Sequence, residues 1–161
     1  LSKEFDGGIM VISGANSAVS LRSMPVRYLF LDEIDGYPSD VDGEGDPVDL
    51  AINRTKTFGR KKIFMPSTPT TADVSRIERE FELGDQCYYH LPCPHCGEFQ
   101  KLEWSGIRWQ KSPEHQPETA VYGCKHCGAE IEEYHKEQML ANGKWVPESP
   151  SAPKHIRSFH L

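Results

Sequence analysis

The segment Val26-Arg-Tyr-Leu-Phe-Leu-Asp-Glu-Ile-Asp35 decides the fold of this chain. Residues 27–31 form a mostly apolar run that is too short for a helix, which is typical of a strand buried on both faces of a parallel sheet. The run ends in two adjacent carboxylates, Asp32 and Glu33. In a nucleotide-hydrolysing α/β sheet, the first acid holds a hydrated Mg²⁺ and the second orients or deprotonates a water. A plain strand followed by an acidic turn would give the same letters.

A second strand with a polar end follows in the sequence. A helix predicted over 48–58, with a proline in its first turn, leads to a strand over 62–66 and then to Ser67-Thr-Pro-Thr70. A right-handed strand–helix–strand crossover places both polar turns at the carboxyl edge of the sheet, where open α/β sheets bind ligands. The residues that we expect to face one crevice are Asp32, Glu33, Ser67 and Thr68.

Three further elements are predicted around this unit. Residues 8–13 have the composition of a strand, and residues 14–23 that of a turn followed by a short helix or loop. Residues 75–83 predict a helix, with Ser75 as its N-cap and Glu78 completing a capping box. The α/β region is expected to end at the glycine that follows this helix.

Four of the five cysteines form two Cys-x-x-Cys-Gly knuckles. Two such knuckles point four thiolates at one place, which builds a tetrahedral cage for structural Zn²⁺ with no open position for a substrate. The predicted zinc ligands are Cys93, Cys96, Cys124 and Cys127. Strand-like pieces over 99–104 and 120–123, joined by a polar loop, predict a zinc ribbon. The fifth cysteine, Cys87, is predicted to be a strand residue, and zinc is expected to supply folding energy because this region is too small for a good core.

Composition limits the other possibilities. The 161 residues carry a net charge of −6, which argues against a free-standing DNA-coating module. There is no apolar run long enough to span a membrane and no signal-peptide pattern. Paired Cys-x-x-Cys motifs suit a metal in a reducing compartment better than a disulfide framework. The chain begins with Leu and stops within an apolar segment, so we interpret it as a fragment cut at both ends.

Six short segments occur in an order that is more specific than any one of them. They are Leu21-Arg-Ser-Met-Pro25, Phe30-Leu-Asp-Glu-Ile-Asp-Gly-Tyr-Pro38, Glu44-Gly-Asp-Pro47, Ser67-Thr-Pro-Thr70, Cys93-Pro-His-Cys-Gly97 and Gly143-Lys-Trp-Val-Pro147. Together they resemble the large terminase subunit of tailed phages, in the lambda-like branch. The resemblance covers nearly the whole chain.

The resemblance implies an α/β fold with part of a RecA-like parallel sheet, plus the small Cys₄ zinc ribbon. It implies a DNA-packaging motor that hydrolyses ATP, with Asp32 helping to hold Mg²⁺ in a Walker B motif and Glu33 activating the attacking water. It also implies a coupling motif that senses hydrolysis and moves the DNA-gripping parts. The coupling residues are Ser67, Thr68 and Thr70.

The family also implies a domain plan and partners. Residues 1–86 correspond to the C-terminal part of the ATPase domain, 87–133 to the zinc ribbon, and 134–161 to a helix and linker toward a nuclease domain. No G-x-x-x-x-G-K-[ST] phosphate loop occurs here. In the family it lies upstream and the endonuclease lies downstream, so we expect the fragment alone to be inactive. The implied partners are double-stranded viral DNA, the terminase small subunit, the portal protein and further copies in a ring, with no membrane. The implied location is the host cytoplasm and, transiently, the procapsid portal.

Two alternative functions remain open on the residues alone. Asp32-Glu-Ile-Asp35 is close to the DExD box of a superfamily 2 helicase or translocase. Such helicases usually continue with a Ser-Ala-Thr type of motif rather than Ser-Thr-Pro, and a zinc ribbon directly afterwards would be unusual. The other alternative is a non-catalytic zinc-ribbon interaction module with purely structural acids, which leaves the two convergent turns unexplained.

Overall fold

A computed structural model describes residues 1–161, which divide into two compact units, Leu1–Arg79 and Glu80–Leu161. The chain has mixed α/β structure with four small sheets and short helices. None of these helices has the length and apolar character needed to cross a lipid bilayer.

The first unit contains four strands and three helices. In chain order they are β1 (Ser2–Phe5), β2 (Gly8–Val11), α1 (Ala18–Arg22), β3 (Tyr28–Phe30), α2 (Pro47–Asn53), β4 (Lys62–Phe64) and α3 (Arg76–Leu83), the last of which continues into the second unit. Strands β3 and β4 pair in parallel, as the strand–helix–strand pattern predicts. The predicted strand over 8–13 is present as β2, but it pairs with β1 in a separate antiparallel hairpin. A larger RecA-like sheet therefore stays a prediction.

A small apolar core covers one face of β3 and β4. Ile34, in a short 3₁₀ turn after β3, is fully buried and packs with Leu31 and with Val48 and Ala51 of α2. The residues packed around this cluster are Leu21, Leu29, Tyr37, Ile52, Met65 and Ile77. The prediction that β3 is buried on both faces is wrong, because the helices cover only the side of Leu29. On the other face, Tyr28 and Phe30 are 67% and 62% exposed.

Side-chain caps explain where α2 and α3 begin. The Asp46 carboxylate accepts a hydrogen bond from the backbone N–H of Val48 at 2.7 Å, and Pro47 occupies the first turn of α2 as predicted. Helix α2 ends at Asn53 and not near residue 58. The buried Thr55 donates its hydroxyl to a carbonyl oxygen one turn earlier, and tight turns follow.

Helix α3 confirms the predicted N-cap. The Ser75 hydroxyl accepts a hydrogen bond from the backbone N–H of Glu78 at 3.2 Å. The observed helix lies within the predicted range of 75–83 and ends immediately before Gly84. The first residues of α3 contact the acidic turn after β3, since the N–H of Ile77 donates to the Asp35 carboxylate.

The second unit is mostly β structure. Its elements are β5 (Cys87–Pro92), β6 (Phe99–Lys101), β7 (Ile107–Gln110), β8 (Gln116–Gly123), β9 (Glu130–Ile131), α4 (Lys136–Ala141), β10 (Lys144–Pro147) and β11 (Phe159–His160). Strands β7, β8 and β9 form one antiparallel sheet, and β5 is the centre of a second sheet. The core of the second unit combines Leu91, Ile131 and Met139 with two of the knuckle cysteines.

The segment after residue 133 is more than the predicted helix and linker. Strand β10 pairs antiparallel with β5, and β11 pairs with β5 in parallel, so the end of the chain completes the sheet that carries the first knuckle. Cys87 is buried at the start of β5, which confirms that it is a strand residue. The predicted strand over 99–104 is shorter than expected, because residues 104–106 form a 3₁₀ turn.

Candidate functional site

The two polar turns of the first unit lie side by side. The parallel ladder continues past the strands, since the N–H of Leu31 donates to the carbonyl oxygen of Phe64 at 2.9 Å and that of Glu33 to Pro66 at 2.9 Å. Both turns therefore leave the same edge of the sheet, as the crossover argument predicts. This pairing brings the carboxylates after β3 next to the hydroxyl groups after β4.

Glu33 occupies an unusual backbone conformation. Its φ is +53° and its ψ is +54°, in the left-handed region that costs a residue with a side chain about 1–2 kcal/mol. Backbone outliers of this kind cluster at functional sites, where the surrounding structure holds them. Here the Glu33 carboxylate accepts a hydrogen bond from the backbone N–H of Thr68 at 3.3 Å, which joins it directly to the second turn.

Asp32 presents an exposed carboxylate at the same turn. Its side chain takes part in no ion pair, and neither does that of Glu33. The Tyr37 phenol lies close by. Burial raises the pKa of Tyr37, and the negative charge of Asp32 raises it further. An exposed, uncompensated carboxylate after a parallel strand is the kind of oxygen ligand that Mg²⁺ takes when it keeps most of its water.

Asp35 is a site residue that the sequence analysis did not single out. Its carboxylate accepts hydrogen bonds from the N–H and the hydroxyl of Thr70, each at 3.0 Å, and from the N–H of Ile77 at 2.8 Å. Partial burial raises the pKa of Asp35. Hydrogen bonds from Ser75, Ile77 and Thr70 outweigh that effect and lower it to about 2. The signal was present in the sequence as the last acid of the DExD-like box.

The second turn is held to the first by several hydrogen bonds. The Ser67 hydroxyl accepts from the N–H of Asp35 at 3.3 Å, and the N–H groups of Thr68 and Thr70 donate to Glu33 and Asp35. The structure therefore brings together Glu33 and the three predicted coupling residues. The side chain of Asp32 belongs to the same turn but makes none of these bonds.

The second unit holds the four knuckle cysteines in one cluster. Their four Sγ atoms all lie within 4.8 Å of one another. The Sγ atoms of Cys93 and Cys127 are 3.9 Å apart, and those of Cys96 and Cys124 are also 3.9 Å apart. A tetrahedral zinc site with bonds of about 2.3 Å requires sulfur atoms about 3.8 Å apart. The cluster therefore has the donor set and spacing that a metal ion needs.

The two knuckles share one backbone geometry. The N–H of Gly97 donates to the carbonyl oxygen of Cys93, and that of Gly128 donates to Cys124, each at 2.9 Å. Both glycines have positive φ, +77° and +75°, which the tight turn requires and which favours glycine there. The repeat of bonds and angles explains why the two Cys-x-x-Cys-Gly motifs point their thiols at the same place.

Gln100 is hydrogen-bonded to the four-cysteine cluster. This side chain on β6 is fully buried, its Nε2 donates to the Sγ of Cys124 at 3.4 Å, and its Oε1 accepts from the N–H of Lys125 at 3.0 Å. Sequence reasoning missed this residue because a lone glutamine carries no pattern. His95 and His126 are exposed, and His95 Nε2 lies 3.1 Å from the carbonyl oxygen of Glu130, away from the thiols.

Proton sharing among the four thiols follows from their crowding. Burial raises the pKa of Cys124, but N–H groups of Cys127 and His126 and neighbouring thiols outweigh it and lower the pKa to about 6. The N–H of Glu98 lowers the pKa of Cys96, whereas burial and hydrogen bonds with the other cysteines raise it to about 12. Four close thiolates repel one another, so all four ionise together only with a cation between them.

An acidic turn beside a hydroxyl turn, followed by a four-cysteine unit, is the combination that the sequence analysis associated with phage terminases. The family model described as phage terminase large subunit gpA, ATPase domain, matches residues 1–145. The chain belongs to this family of phage terminase large subunits, and the predicted lambda-like branch is confirmed.

Two relatives show the extent of the similarity. The terminase large subunit of Enterobacteria phage P21 is 30% identical over 155 residues, which is 91% of this chain and 23% of that protein. The terminase large subunit of Escherichia phage lambda is 30% identical over 120 residues, which is 70% of this chain and 18% of that protein. The chain thus spans less than a quarter of the length of either relative. No solved structure matches the chain significantly.

Proposed function

We propose that this chain is the part of a terminase large subunit that hydrolyses ATP to drive viral DNA into a procapsid. The observation that carries the proposal is the joining of the two turns: the carboxylate of Glu33 is hydrogen-bonded to the N–H of Thr68 at the carboxyl edge of the parallel strands. Ligands of open α/β sheets bind at this edge. The family match to an ATPase domain supports the same function.

Each residue of the site has a role in this proposal. Asp32, exposed and without an ion pair, would hold hydrated Mg²⁺, and the bound ion would supply positive charge next to the phosphates. Glu33 orients the attacking water and accepts its proton, at a carboxylate positioned by a strained backbone and by Thr68. The backbone N–H of Thr68 is hydrogen-bonded to that carboxylate, so in this proposal residues 67–70 form the coupling motif that responds to hydrolysis.

In this proposal, other segments of the full-length protein supply the remaining functional parts of the packaging motor. The phosphate-binding loop and further strands of a RecA-like sheet come from residues outside this sequence, and so does an endonuclease. The partners are double-stranded viral DNA, the terminase small subunit, the portal protein and further copies in a ring. The motor works in the host cytoplasm and at the procapsid portal.

The four cysteines have a structural role in this proposal. Cys93, Cys96, Cys124 and Cys127 hold one Zn²⁺ at the spacing that four thiolates need. Two of them, Cys93 and Cys124, are buried in the apolar core of the second unit, so binding the metal and folding the unit are linked.

The experiment that tests the proposed function uses the full-length protein with Glu33→Gln. Gln keeps the size of the side chain but cannot accept the proton, so ATP turnover should fall by about 10²–10⁴-fold while nucleotide binding is retained. Glu4→Gln, on the exposed strand β1, is the matched control and should leave turnover unchanged. Near-normal turnover by Glu33→Gln would show that the turn after β3 has no role in hydrolysis.

A further inference from the structure

The turn that follows Glu33 is tied to two separate segments by one carboxylate. Asp35 Oδ1 accepts the N–H of Ile77 in the first turn of α3 at 2.8 Å. Its Oδ2 accepts both the N–H and the hydroxyl of Thr70 at 3.0 Å. Hydrogen bonds to an ionised acceptor are roughly twice as strong as neutral ones. The turn, the coupling segment and the start of α3 therefore share one charged group.

Arg76 strengthens the connection between the same turn and α3. Its guanidinium donates to the carbonyl oxygens of Ile34 at 3.1 Å, Tyr37 at 2.8 Å and Pro38 at 2.7 Å, and its Nε donates to Asp46 at 3.0 Å. The Arg76 side chain is only 14% exposed. Because its planar donors are distributed over one short turn, α3 cannot move away from residues 34–38 without breaking several partly buried hydrogen bonds.

Asp35 and Glu33 lie in the same turn after β3. Asp35 follows Glu33 by two residues, and its own N–H donates to the Ser67 hydroxyl at 3.3 Å. The N–H of Glu33 bonds to the carbonyl oxygen of Pro66 at 2.9 Å. Glu33 is the left-handed residue that precedes the 3₁₀ turn Ile34–Gly36, and Asp35 lies within that turn, so the two acids share one short, hydrogen-bonded segment.

We propose that Asp35 is a positioning residue of the ATP cycle: it links the turn bearing Glu33 to residues 67–70 and to the start of α3, so that all three move together. The proposal rests on the proposed function of Asp32 and Glu33. The two oxygens of Asp35 are engaged by Thr70, Ile77 and Ser75, so the proposal gives Asp35 no contact with the reacting atoms. The link joins the hydrolysis site to the segment that would drive movement.

The variant that breaks the link with the least change of shape is Asp35→Asn in the full-length protein. An amide offers one acceptor oxygen and one NH₂ group, so either Thr70 or Ile77 must face a donor instead of an acceptor. Asp49→Asn is the matched control, since Asp49 is an exposed acid in the first turn of α2. Thr70→Val is a milder variant that removes only the hydroxyl bond.

The first measurement is amide hydrogen exchange, which reports the link itself and needs no activity. In Asp35→Asn, whichever of the amides of Thr70 and Ile77 faces the NH₂ group should exchange about tenfold faster or more, because it loses its acceptor. The other should also exchange faster, because its bond is no longer charge-assisted. Asp49→Asn should leave both unchanged. Unchanged exchange of these two amides in Asp35→Asn would overturn the proposal, whatever the enzyme activity shows.

The second measurement is the length of DNA packaged per ATP hydrolysed. Asp35→Asn should lower this ratio by about fivefold or more, while kcat for ATP changes by less than about threefold and KM is unchanged. Adding Thr70→Val to Asp35→Asn should lower the ratio little further, because both changes break the same link. An unchanged ratio would overturn the proposal. So would a fall in kcat as large as that of Glu33→Gln, because Asp35 would then act in the chemical step.

The experiments distinguish a failure of the proposed function from a failure of the inference about Asp35. If Glu33→Gln hydrolyses ATP normally, the proposed function is wrong, and the exchange of Thr70 and Ile77 still decides whether Asp35 forms the link. If Glu33→Gln is inactive and Asp35→Asn packages the normal length of DNA per ATP hydrolysed, only the inference about Asp35 is wrong.

Discussion

Replacing Gln100 by Met should weaken metal binding by the four-cysteine cluster without touching a thiol. Met has nearly the length of Gln but neither its donor nor its acceptor. Gln100 is fully buried, with Nε2 3.4 Å from the Sγ of Cys124 and Oε1 3.0 Å from the backbone nitrogen of Lys125. The substitution therefore removes one hydrogen bond to a ligand sulfur and one to the backbone of the second knuckle.

The size of the effect follows from these two bonds. A hydrogen bond to a charged acceptor such as a thiolate contributes about 1.5–3 kcal/mol, and an unpaired backbone N–H of Lys125 costs about 1–3 kcal/mol where water does not reach it. The N–H is only partly buried, so we expect a total loss of about 2–4 kcal/mol in the folding free energy of the metal-bound protein. Residues that orient metal ligands change affinity by about 10–100-fold, which agrees with the loss of the sulfur bond.

The assay is competition for zinc between the protein and a coloured chelator, followed by urea unfolding of the metal-bound form. Gln138→Met is the matched control, because Gln138 lies on the exposed side of α4. We expect the apparent dissociation constant for zinc to be about 10–100-fold higher in Gln100→Met, and the control to match the unmodified protein. Equal zinc retention and equal stability in Gln100→Met and Gln138→Met would show that the hydrogen bonds of Gln100 do not support the cluster.

Two other predictions concern the cage and the acidic turn. Cys124→Ser should reduce bound zinc from about one ion per chain to nearly none and unfold the second unit, because three thiolates leave the cage incomplete; metal analysis and circular dichroism check this, and a folded, zinc-bound variant would contradict it. The folded-state pKa of Asp35, about 2, lies below its ordinary value of 3.8, so its ionised form stabilises the protein above about pH 4 and that contribution is lost as the pH falls toward 2. The difference in unfolding free energy between the unmodified protein and Asp35→Asn should therefore shrink between pH 4 and pH 2, and a constant difference would contradict the hydrogen-bonded carboxylate.

Local patterns in the sequence predicted the parts of the fold that local chemistry controls. The short apolar run before Asp32 became a strand, Ser75 became an N-cap, and the two Cys-x-x-Cys-Gly motifs formed one cluster. In each case the spacing of a few residues sets the geometry. The parallel pairing of β3 and β4 also followed, because a strand–helix–strand unit has one strongly preferred handedness.

Long-range pairings were not predictable in this way. Strand β5 pairs with β10 and β11, and nothing in residues 144–147 or 159–160 specifies that partner. The exposure of Tyr28 and Phe30 was missed for a related reason, since an apolar run does not reveal how many of its faces other elements cover.

The site residues missed by the sequence analysis act through distant partners. Asp35 bonds to Thr70 and Ile77, which lie 35 and 42 positions away. Gln100 bonds to Cys124 and Lys125, which lie 24 and 25 positions away. In the sequence Asp35 stands out only as the last acid of a DExD-like box, and Gln100 does not stand out at all. Only the folded structure shows which donors and acceptors they meet.

The role of Glu33 in hydrolysis is best tested by single-turnover ATP hydrolysis with full-length Glu33→Gln, with nucleotide binding measured on the same sample. We expect normal binding and hydrolysis slowed by about 10²–10⁴-fold, because the attacking water loses its proton acceptor. Hydrolysis at the rate of the Glu4→Gln control, with the same bound nucleotide, would show that the turn after β3 is not the catalytic site.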